Sequence, residues 1–573
     1  MITLKIHRKK IRICAMAIIM TLILLSCRLL YIMLFLSEEL SKKATALHQR
    51  EREIKAERGK IISTDGTVMA ENKTVCTISV IHSQIEDADK VVKVLSKELG
   101  MPEEKIRKYV DKVSSMERIK SNVSKETGDA IRDYNLAGVK VDEDSKRSYP
   151  YNELASKVLG FTGADNQGIV GLEVKYDNIL KGINGKILTM TDAAGIEIEN
   201  ETVERVEAIP GNDLVVSLDY NIQCYCMQAA RKTYEAKQAK NVSIIVMNPN
   251  NGEILSMVNY PEYNLNEPYV LDYQVDSYID ENQKMEMLNS MWRNKIINDT
   301  YEPGSTYKMV VAATALSTGA VSLKDTFYCK GNATVGGRVI RCHKTTGHGS
   351  QTFAQTLMNS CNPAFINWGF RVGKDNFLQY MDKLGLLNKT GVDLPGEAGT
   401  IMHKKEDIKD LELATMSFGQ SFQITPLQLL RAASCIINGG TLVTPHFAVK
   451  SVDNNGNEKI FSYKTESNVL SAEVCDTMKR LLRQVVAEGG GKKCDITGYE
   501  IGGKTATSQK LPRSEHKYIS SFVGFVPYDN PKLIAMCIID EPQGTYYGGT
   551  IATPVVREIF ENILPYLHIN KIE

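Results

Sequence analysis

The stretch Glu302-Pro303-Gly304-Ser305-Thr306-Tyr307-Lys308 leads a serine into an apolar run, Met309-Val310-Val311-Ala312-Ala313-Thr314-Ala315-Leu316. That run favours a helix, and Gly319 offers it a stop. Side chains three residues apart share a helix face, so Lys308 is placed to aim its amine at the Ser305 hydroxyl. A serine is a weak nucleophile until a neighbouring base takes its proton, and burial lowers a lysine pKa towards that role. The bland alternative is that Ser305 only caps the helix and Lys308 is a solvated first-turn residue. Spacing alone does not decide. Ser514-Glu515-His516-Lys517 fits it too, in a polar stretch with no apolar helix behind it.

At 573 residues the chain is too long for one core, so two or more folded units are expected. Lys+Arg 69 against Asp+Glu 68 leaves a net charge of +1, which argues against nucleic acid as a partner. Lys5, His7, Arg8, Lys9, Lys10 and Arg12 precede an apolar run from Ile13 to Leu36, broken only by Arg28. About 20 apolar residues span a bilayer, so residues 13–36 read as a single transmembrane anchor and 1–12 as a cytoplasmic tail. Positive flanks stay cytoplasmic, which puts everything after Leu36 outside the cytoplasm. No small-residue cleavage site follows the run, and behind Leu24-Leu25-Ser26-Cys27, a loose lipoprotein box, Leu29–Leu36 would be an odd tether.

Of twelve cysteines, Cys14 and Cys27 lie in that run and the rest are scattered, without a small-domain disulfide pattern. Cys329 and Cys342 could pair. Cys329, Cys342, His343 and His348 also group roughly like zinc ligands, but the histidine spacing follows no standard finger, and no metal is expected.

Residues 37–57 are charged and alanine-containing and read as a helix rising from the membrane. Short β-rich pieces such as Thr74–Val80 then alternate with helices such as Asp87–Leu99. Pro210-Gly211-Asn212-Asp213 is a turn before the strand-like Leu214–Leu218, and the main boundary falls there, dividing 37–211 from 212–573. A helix over Gln223–Ala236 precedes a hairpin of Val242–Met247 and Ile254–Val258. Ser521–Val526 and Leu533–Ile539 repeat the hairpin before a helix over Val555–Leu564, with helices over Leu427–Ile437 and Val474–Val486 between. The pattern is α/β: a sheet flanked by helices, with an inserted helical subdomain.

Two further constellations bear on Ser305. Ser360-Cys361-Asn362 forms a short polar loop between a helix over Thr352–Asn359 and the stretch opened by Pro363, a suitable place for groups that face a cleft. Gly502-Gly503-Lys504-Thr505-Ala506-Thr507-Ser508 suits an edge strand that a substrate backbone can approach closely. With Ser305–Lys308, Ser360–Asn362 and Lys504–Ala506 in this order, the chain resembles the class B penicillin-binding proteins, monofunctional peptidoglycan transpeptidases of the penicilloyl-serine transferase group. The likeness extends to Asp219, Ile222-Gln223, Asn248-Pro249, Arg293-Asn294, His348-Gly349, Phe418-Gly419-Gln420, Thr425-Pro426-Leu427-Gln428 and Gly548-Gly549. Arg58-Gly59-Lys60-Ile61, Asp65-Gly66, Arg147, Tyr149-Pro150 and Gly171-Leu172-Glu173 resemble the family's pedestal, so nearly the whole chain is covered.

The resemblance implies a transmembrane helix, an elongated pedestal (dimerisation-like) domain over 37–211 and a β-lactamase-like transpeptidase domain over 212–573. It implies that Ser305 is acylated and that Lys308 activates it. Ser360 would relay a proton to the leaving amine, Asn362 would hold the substrate amide, and Lys504 would supply positive charge. Thr505 would bind the terminal carboxylate, with backbone N–H groups of Ser305 and Thr507 as the oxyanion hole. The substrates would be peptidoglycan stem peptides ending in D-Ala–D-Ala, β-lactams would bind, and no cofactor is needed. The membrane and a SEDS-family glycosyltransferase are the implied partners. Two positions depart from the pattern. Ala506 stands where the family usually has glycine, so its methyl is expected to crowd a bulky ligand or push the strand outward, with activity retained and β-lactam affinity altered. Ser63-Thr64 replace the usual Asp-Arg, which bears on pedestal contacts.

Three other readings compete with this one. Gly498-Tyr499-Glu500-Ile501-Gly502-Gly503-Lys504-Thr505 satisfies the phosphate-cradling pattern, but that loop must open a helix, and Thr507–Lys517 contains Pro512. A β-lactamase or β-lactam sensor would lack the long N-terminal half, while a carboxypeptidase differs only in the acceptor, water for amine. A non-catalytic cell-wall scaffold would have no use for the complete Ser305, Lys308, Ser360, Asn362 and Lys504 set.

Overall fold

The computed structural model describes residues 2–40, 49–114, 116–191, 197–273 and 279–571. They fall into two compact units. The smaller comprises Met1–Glu57, Thr74–Lys146 and Ile183–Ile209, and the larger Arg58–Lys73, Arg147–Gly182 and Pro210–Glu573. Packing units are thus not contiguous along the chain.

In the smaller unit the N-terminus is helical from Ile2 to Tyr31, with a π-turn over Ile32–Leu36. Lys9–Leu40 is the one helix among the described residues long and apolar enough to cross a membrane, and none of it is buried in protein. It contains the run read as an anchor. The helix expected over 37–57 does not continue to its end. Residues 41–48 lie outside the described residues, and Gln49–Ile54 is a strand paired antiparallel with Gly185–Thr191. Ladder hydrogen bonds from a partner distant in sequence outweigh local helix preference there. The helix Ala88–Leu99 does form, capped by Asp87 accepting from Lys90 N and ended by Gly100 at φ 62°. Its Val91, Val92, Leu95 and Leu99 close a core with Cys76, Ile78 and Val80.

The larger unit is built on five antiparallel strands: β1 (Asn241–Met247), β2 (Ile254–Tyr260), β3 (Gly502–Gln509), β4 (Tyr518–Val526) and β5 (Leu533–Asp540). Their order is β2-β1-β5-β4-β3. Both expected hairpins are present, and β1 against β5 joins them into one sheet. Helices α1 (Tyr220–Lys237), α2 (Lys308–Ser317), α3 (Asn362–Val372), α4 (Pro426–Ile437), α5 (Ala472–Ala487) and α6 (Thr553–Tyr566) complete the frame. α1 and α6 pack on each other and on the sheet; α2, α4 and α5 pack together, with α5 against β3 and α3 against α2. α4 is buried at every position, and α2 from Lys308 to Ala315, so the nucleophile candidate stands at the head of a core helix. The sheet flanked by helices agrees with the sequence reading.

Within this unit a buried ion cluster joins residues 58–73 to residues 147–182. Arg58 Nε donates to Glu173 Oε2 at 2.6 Å and Arg147 Nε to Glu173 Oε1 at 2.7 Å, while Arg58 Nη1 reaches Asp177 at 2.7 Å. Tyr149 adds its hydroxyl to Glu173 at 3.2 Å. Four positions singled out separately in the sequence therefore meet at one carboxylate. Ser63, at the departure from the usual Asp-Arg, closes a local turn by donating to Asp65 and to Thr67 O.

Candidate active site

The turn ahead of α2 is fixed from three sides. Tyr301 exchanges backbone hydrogen bonds with Ile424, Gly304 N donates to Gly419 O at 2.9 Å, and Glu302 accepts from Ser421 N at 2.8 Å and from Arg513 at 3.0 Å. Gly304 adopts φ +58°, and a Cβ there would lie 2.2 Å from Ser508 Oγ; one on Gly419 would lie 2.1 Å from Gly304 O. At Gly419 only glycine lets the two backbones approach so closely, while at Gly304 the close neighbour is the Ser508 side chain. Glu302, Arg513 and Gly419 carry this support, and of these Arg513 had no signal in the sequence beyond being charged.

Ser305 lies on a 3-10 turn, Gly304–Tyr307, and not at the cap of α2, which has Tyr307 in that position and no side-chain cap bond. The capping alternative therefore fails. Ser305 is half-buried, and its hydroxyl has no hydrogen-bond partner among the described residues. The expected contact from Lys308 is absent as well. Lys308 Nζ instead reaches Ser360 O at 2.7 Å, Asn362 Oδ1 at 2.7 Å and Ser360 Oγ at 3.2 Å. An ammonium has three donors, and these acceptors use them all. The Phe365 ring lies 5.3 Å from the same nitrogen.

Lys504 comes from β3 to the other side of Ser360, with Nζ at 3.1 Å from Ser360 Oγ and 3.2 Å from Thr505 O. One hydroxyl thus stands between two wholly buried amines. Burial, then the charge of Lys504, pushes Lys308 well below the ordinary lysine range. Burial alone pulls Lys504 down to about 7. Ser360 itself is held at φ +50°, a conformation unusual for a residue with a side chain. Such strain persists where the surroundings over-determine it.

β3 is the edge strand expected. Side chains alternate across it, Thr505 and Thr507 half-buried on one face, Lys504, Ala506 and Ser508 buried on the other. Thr507 Oγ1 accepts from Gly548 N at 2.9 Å, and a Cβ on Gly548 would lie 2.1 Å from Ala506 O. Ala506 is 3% exposed, and its methyl faces the Gly304 turn. Direct crowding of a ligand by that methyl does not describe this geometry. The strand over 502–509 also removes the phosphate-loop reading, which needs a helix after the lysine. Lys517 of the decoy spacing pairs with Glu515.

Cys329 and Cys342 are free thiols. Among the described residues, Cys329, Cys342, His348 and Cys361 bring their ligand atoms within 4.8 Å of one another. Cys361, hidden inside the Ser360–Asn362 loop, takes the place that the sequence grouping gave to His343.

Comparison with known proteins places the chain in a family. The family described as penicillin binding protein transpeptidase domain matches residues 242–561, and the penicillin-binding protein dimerisation domain matches residues 53–216. Stage V sporulation protein D of Bacillus subtilis (strain 168) is 37% identical over 99% of this chain and 88% of its own length. Peptidoglycan D,D-transpeptidase FtsI of Buchnera aphidicola is 30% identical over 97% of this chain and 95% of its own. The crystal structure of penicillin binding protein 2X from Streptococcus thermophilus superposes with a TM-score of 0.74 at 21% identity, covering 91% of this chain and 83% of that one, a likeness of fold.

Proposed function

Because the chain belongs to the penicillin-binding protein transpeptidase family, we propose that Ser305 is the residue it acylates, with Lys308, Ser360, Asn362 and Lys504 as its proton-handling set. The protein is a peptidoglycan D,D-transpeptidase of cell-wall synthesis. Its substrates are stem peptides, and β-lactams mimic them. The observation that carries the assignment is the chain Lys308–Ser360–Lys504, a hydroxyl bridging two buried amines beside an unpartnered serine.

Ser305 Oγ attacks the carbonyl of the penultimate D-Ala. Its proton goes to Lys308, which is neutral more readily than an exposed lysine and releases a contact to Ser360 to accept it. Ser360 Oγ passes a proton to the departing D-Ala amine and is resupplied through the lysine beside it. Lys504 keeps the pocket positive, and Thr505 and Thr507 take the substrate carboxylate. The backbone N–H groups of Ser305 and Thr507 face the developing oxyanion. Asn362 holds the substrate amide. An acceptor amine from a second strand then reverses these steps and forms the cross-link. The exposed N-terminal helix supports a single-pass anchor with residues 37–211 and 212–573 as pedestal and catalytic domains outside the cytoplasm. We take glycan polymerisation to fall to a separate partner, a SEDS-type polymerase beside the anchor, as the family resemblance implies.

Ser305→Ala in the full-length protein should abolish labelling by a fluorescent penicillin and stem-peptide cross-linking, with the fold intact by circular dichroism. Labelling that persists in that variant, or cross-linking unchanged in cells that carry only it, overturns the assignment and leaves the scaffold reading.

A further inference from the structure

We propose that the exposed basic hairpin Asn332–Arg341, with Lys344 beside it, is the subsite for the acceptor strand, and that it selects an acceptor amine whose own carbon carries a free carboxylate. This role rests on the transpeptidase reading above. The chain as a whole balances Lys+Arg 69 against Asp+Glu 68. From Thr326 to Lys374, however, no aspartate or glutamate occurs, while Lys330, Arg338, Arg341, Lys344, Arg371 and Lys374 do. Two of these cations are engaged. Arg371 faces Asp325 at 3.3 Å, and Lys374 Nζ donates to Ile408 O at 3.4 Å. Lys330, Arg338, Arg341 and Lys344 are exposed, and their side chains have no ion-pair or hydrogen-bond partner among the described residues.

The hairpin is fixed beside the catalytic loop. Its strands Asn332–Val335 and Arg338–Arg341 pair antiparallel around Gly336-Gly337, both at positive φ. Ala333, Val335 and Ile340 turn inward against Ile366 of α3 and against Ala414 and Phe418, a small apolar core of their own. Alternation along the strands leaves Asn332, Thr334, Val339 and Arg341 on the outer face, all exposed. At the near end Asn362 Nδ2 lies 3.5 Å from Arg341 O, while Asn362 Oδ1 accepts from Lys308. Arg341 therefore borders the residue that stands between the hairpin and the buried lysines. The helix Asp410–Met416 also packs on the hairpin. Its acids, Asp410 and Glu412, stand in the first turn, ahead of the Ala414 contact, and Glu412 is occupied there by Lys409 N at 3.0 Å.

Charge decides which acceptor such a rim admits. A lone side-chain ammonium brings further positive charge towards Lys504, Arg338 and Arg341, and like charges brought together are penalised. An amine that shares its carbon with a carboxylate arrives without net charge at that centre, and its carboxylate meets guanidiniums that can hold both oxygens at once. So held, the amine is turned towards the Ser305 ester. The transfer itself is the one described above. The acceptor nitrogen bonds the acyl carbon, the ester C–O bond to Ser305 breaks, and the proton that the amine gives up ends on Ser305 Oγ. Other polyanions meet the same cations, but they present no amine one carbon from the charge.

Acyl transfer by the full-length protein in mild detergent should be followed from one donor stem peptide to three matched acceptors. These are a diamino acid with a free carboxylate beside the reacting amine, the same acceptor with that carboxylate amidated, and a lysine side chain. The free acid should be the best acceptor, and amidation or the lysine side chain should raise the acceptor KM about tenfold with kcat little changed. Arg338→Gln with Arg341→Gln should raise the KM of the free acid to that of the amide and leave the amide unaffected. Acylation by a fluorescent penicillin should stay at the wild-type rate in that variant, since Asn362 meets only the backbone of Arg341. Added salt should act on the free acid as the double variant does. Equal use of the three acceptors, or a double variant that weakens amide and free acid alike, would overturn the subsite. Penicillin acylation that survives Ser305→Ala overturns the catalytic reading instead, whichever acceptor is preferred.

Discussion

Ser360 links two lysines whose protons decide the pH behaviour. With Lys308 far below the usual lysine range and Lys504 at about 7, the singly protonated pair is the competent form: Lys308 neutral to accept from Ser305, Lys504 charged. Acylation by a fluorescent penicillin should therefore rise from acid pH and fall again as pH passes through about 7, the limbs belonging to the pair. Lys504→Arg should remove the falling limb, and a wild-type rate level from about pH 6 to about pH 9 would exclude the idea. Stability runs the other way. The folded chain holds Lys504 neutral above about 7 while the unfolded chain keeps the proton to the ordinary lysine value, so the burial penalty is full below about 7 and is relieved as pH rises between the two. Ala506 makes a separate case. Its methyl is buried against the Gly304 turn, so Ala506→Gly should cost about 1 kcal/mol of stability and leave acylation no faster; a large gain in acylation rate would restore the crowding explanation. The residues proposed to carry the chemistry stand out in the sequence because each lies in a short motif whose order is informative. The aim of Lys308 was not, since helical spacing says nothing of acceptors brought in from a loop some fifty positions away. Cys361 was missed for a like reason: its partners reach it only once separate strands have closed around it.

Elements were read best where their pattern is local. α1, α4, α5 and α6 and both hairpins of the central sheet match their expected ranges to within a few residues, because apolar periodicity and turn residues are written in adjacent positions. The strand Gln49–Ile54 was misread, since its partner lies far along the chain. The start of α2 shows how one element depends on others. Its turn is held against Gly419 backbone to backbone, while the close contact at Gly304 is with the Ser508 hydroxymethyl, which can rotate away, and the Ala506 methyl lies at ordinary distance. Gly419→Ala should therefore destabilise the protein by about 2–4 kcal/mol and Gly304→Ala by less, with acylation lost in step. Chemical denaturation of both variants would check the ranking, and a more damaging Gly304→Ala would refute it.

At the scale of the molecule, Glu173 ties residues 58–73 to residues 147–182 within the larger unit. Both guanidiniums beside it are buried, so removing its charge leaves Arg147 without a counterion and Arg58 with Asp177 alone. Glu173→Gln should cost about 3–5 kcal/mol, seen as a clear drop in melting temperature; an unchanged one would show the cluster to be dispensable. This cluster also bears on the order in which the protein is made. The short strand Ile61–Ile62 leaves the ribosome early, yet it lies parallel to Asp213–Val216 and cannot be completed until some hundred and fifty further residues have been added. Between the two, residues 76–141 already contain a closed apolar core of their own. During synthesis that inserted piece can fold while its flanks wait, and the catalytic unit assembles last, around an intermediate already half formed.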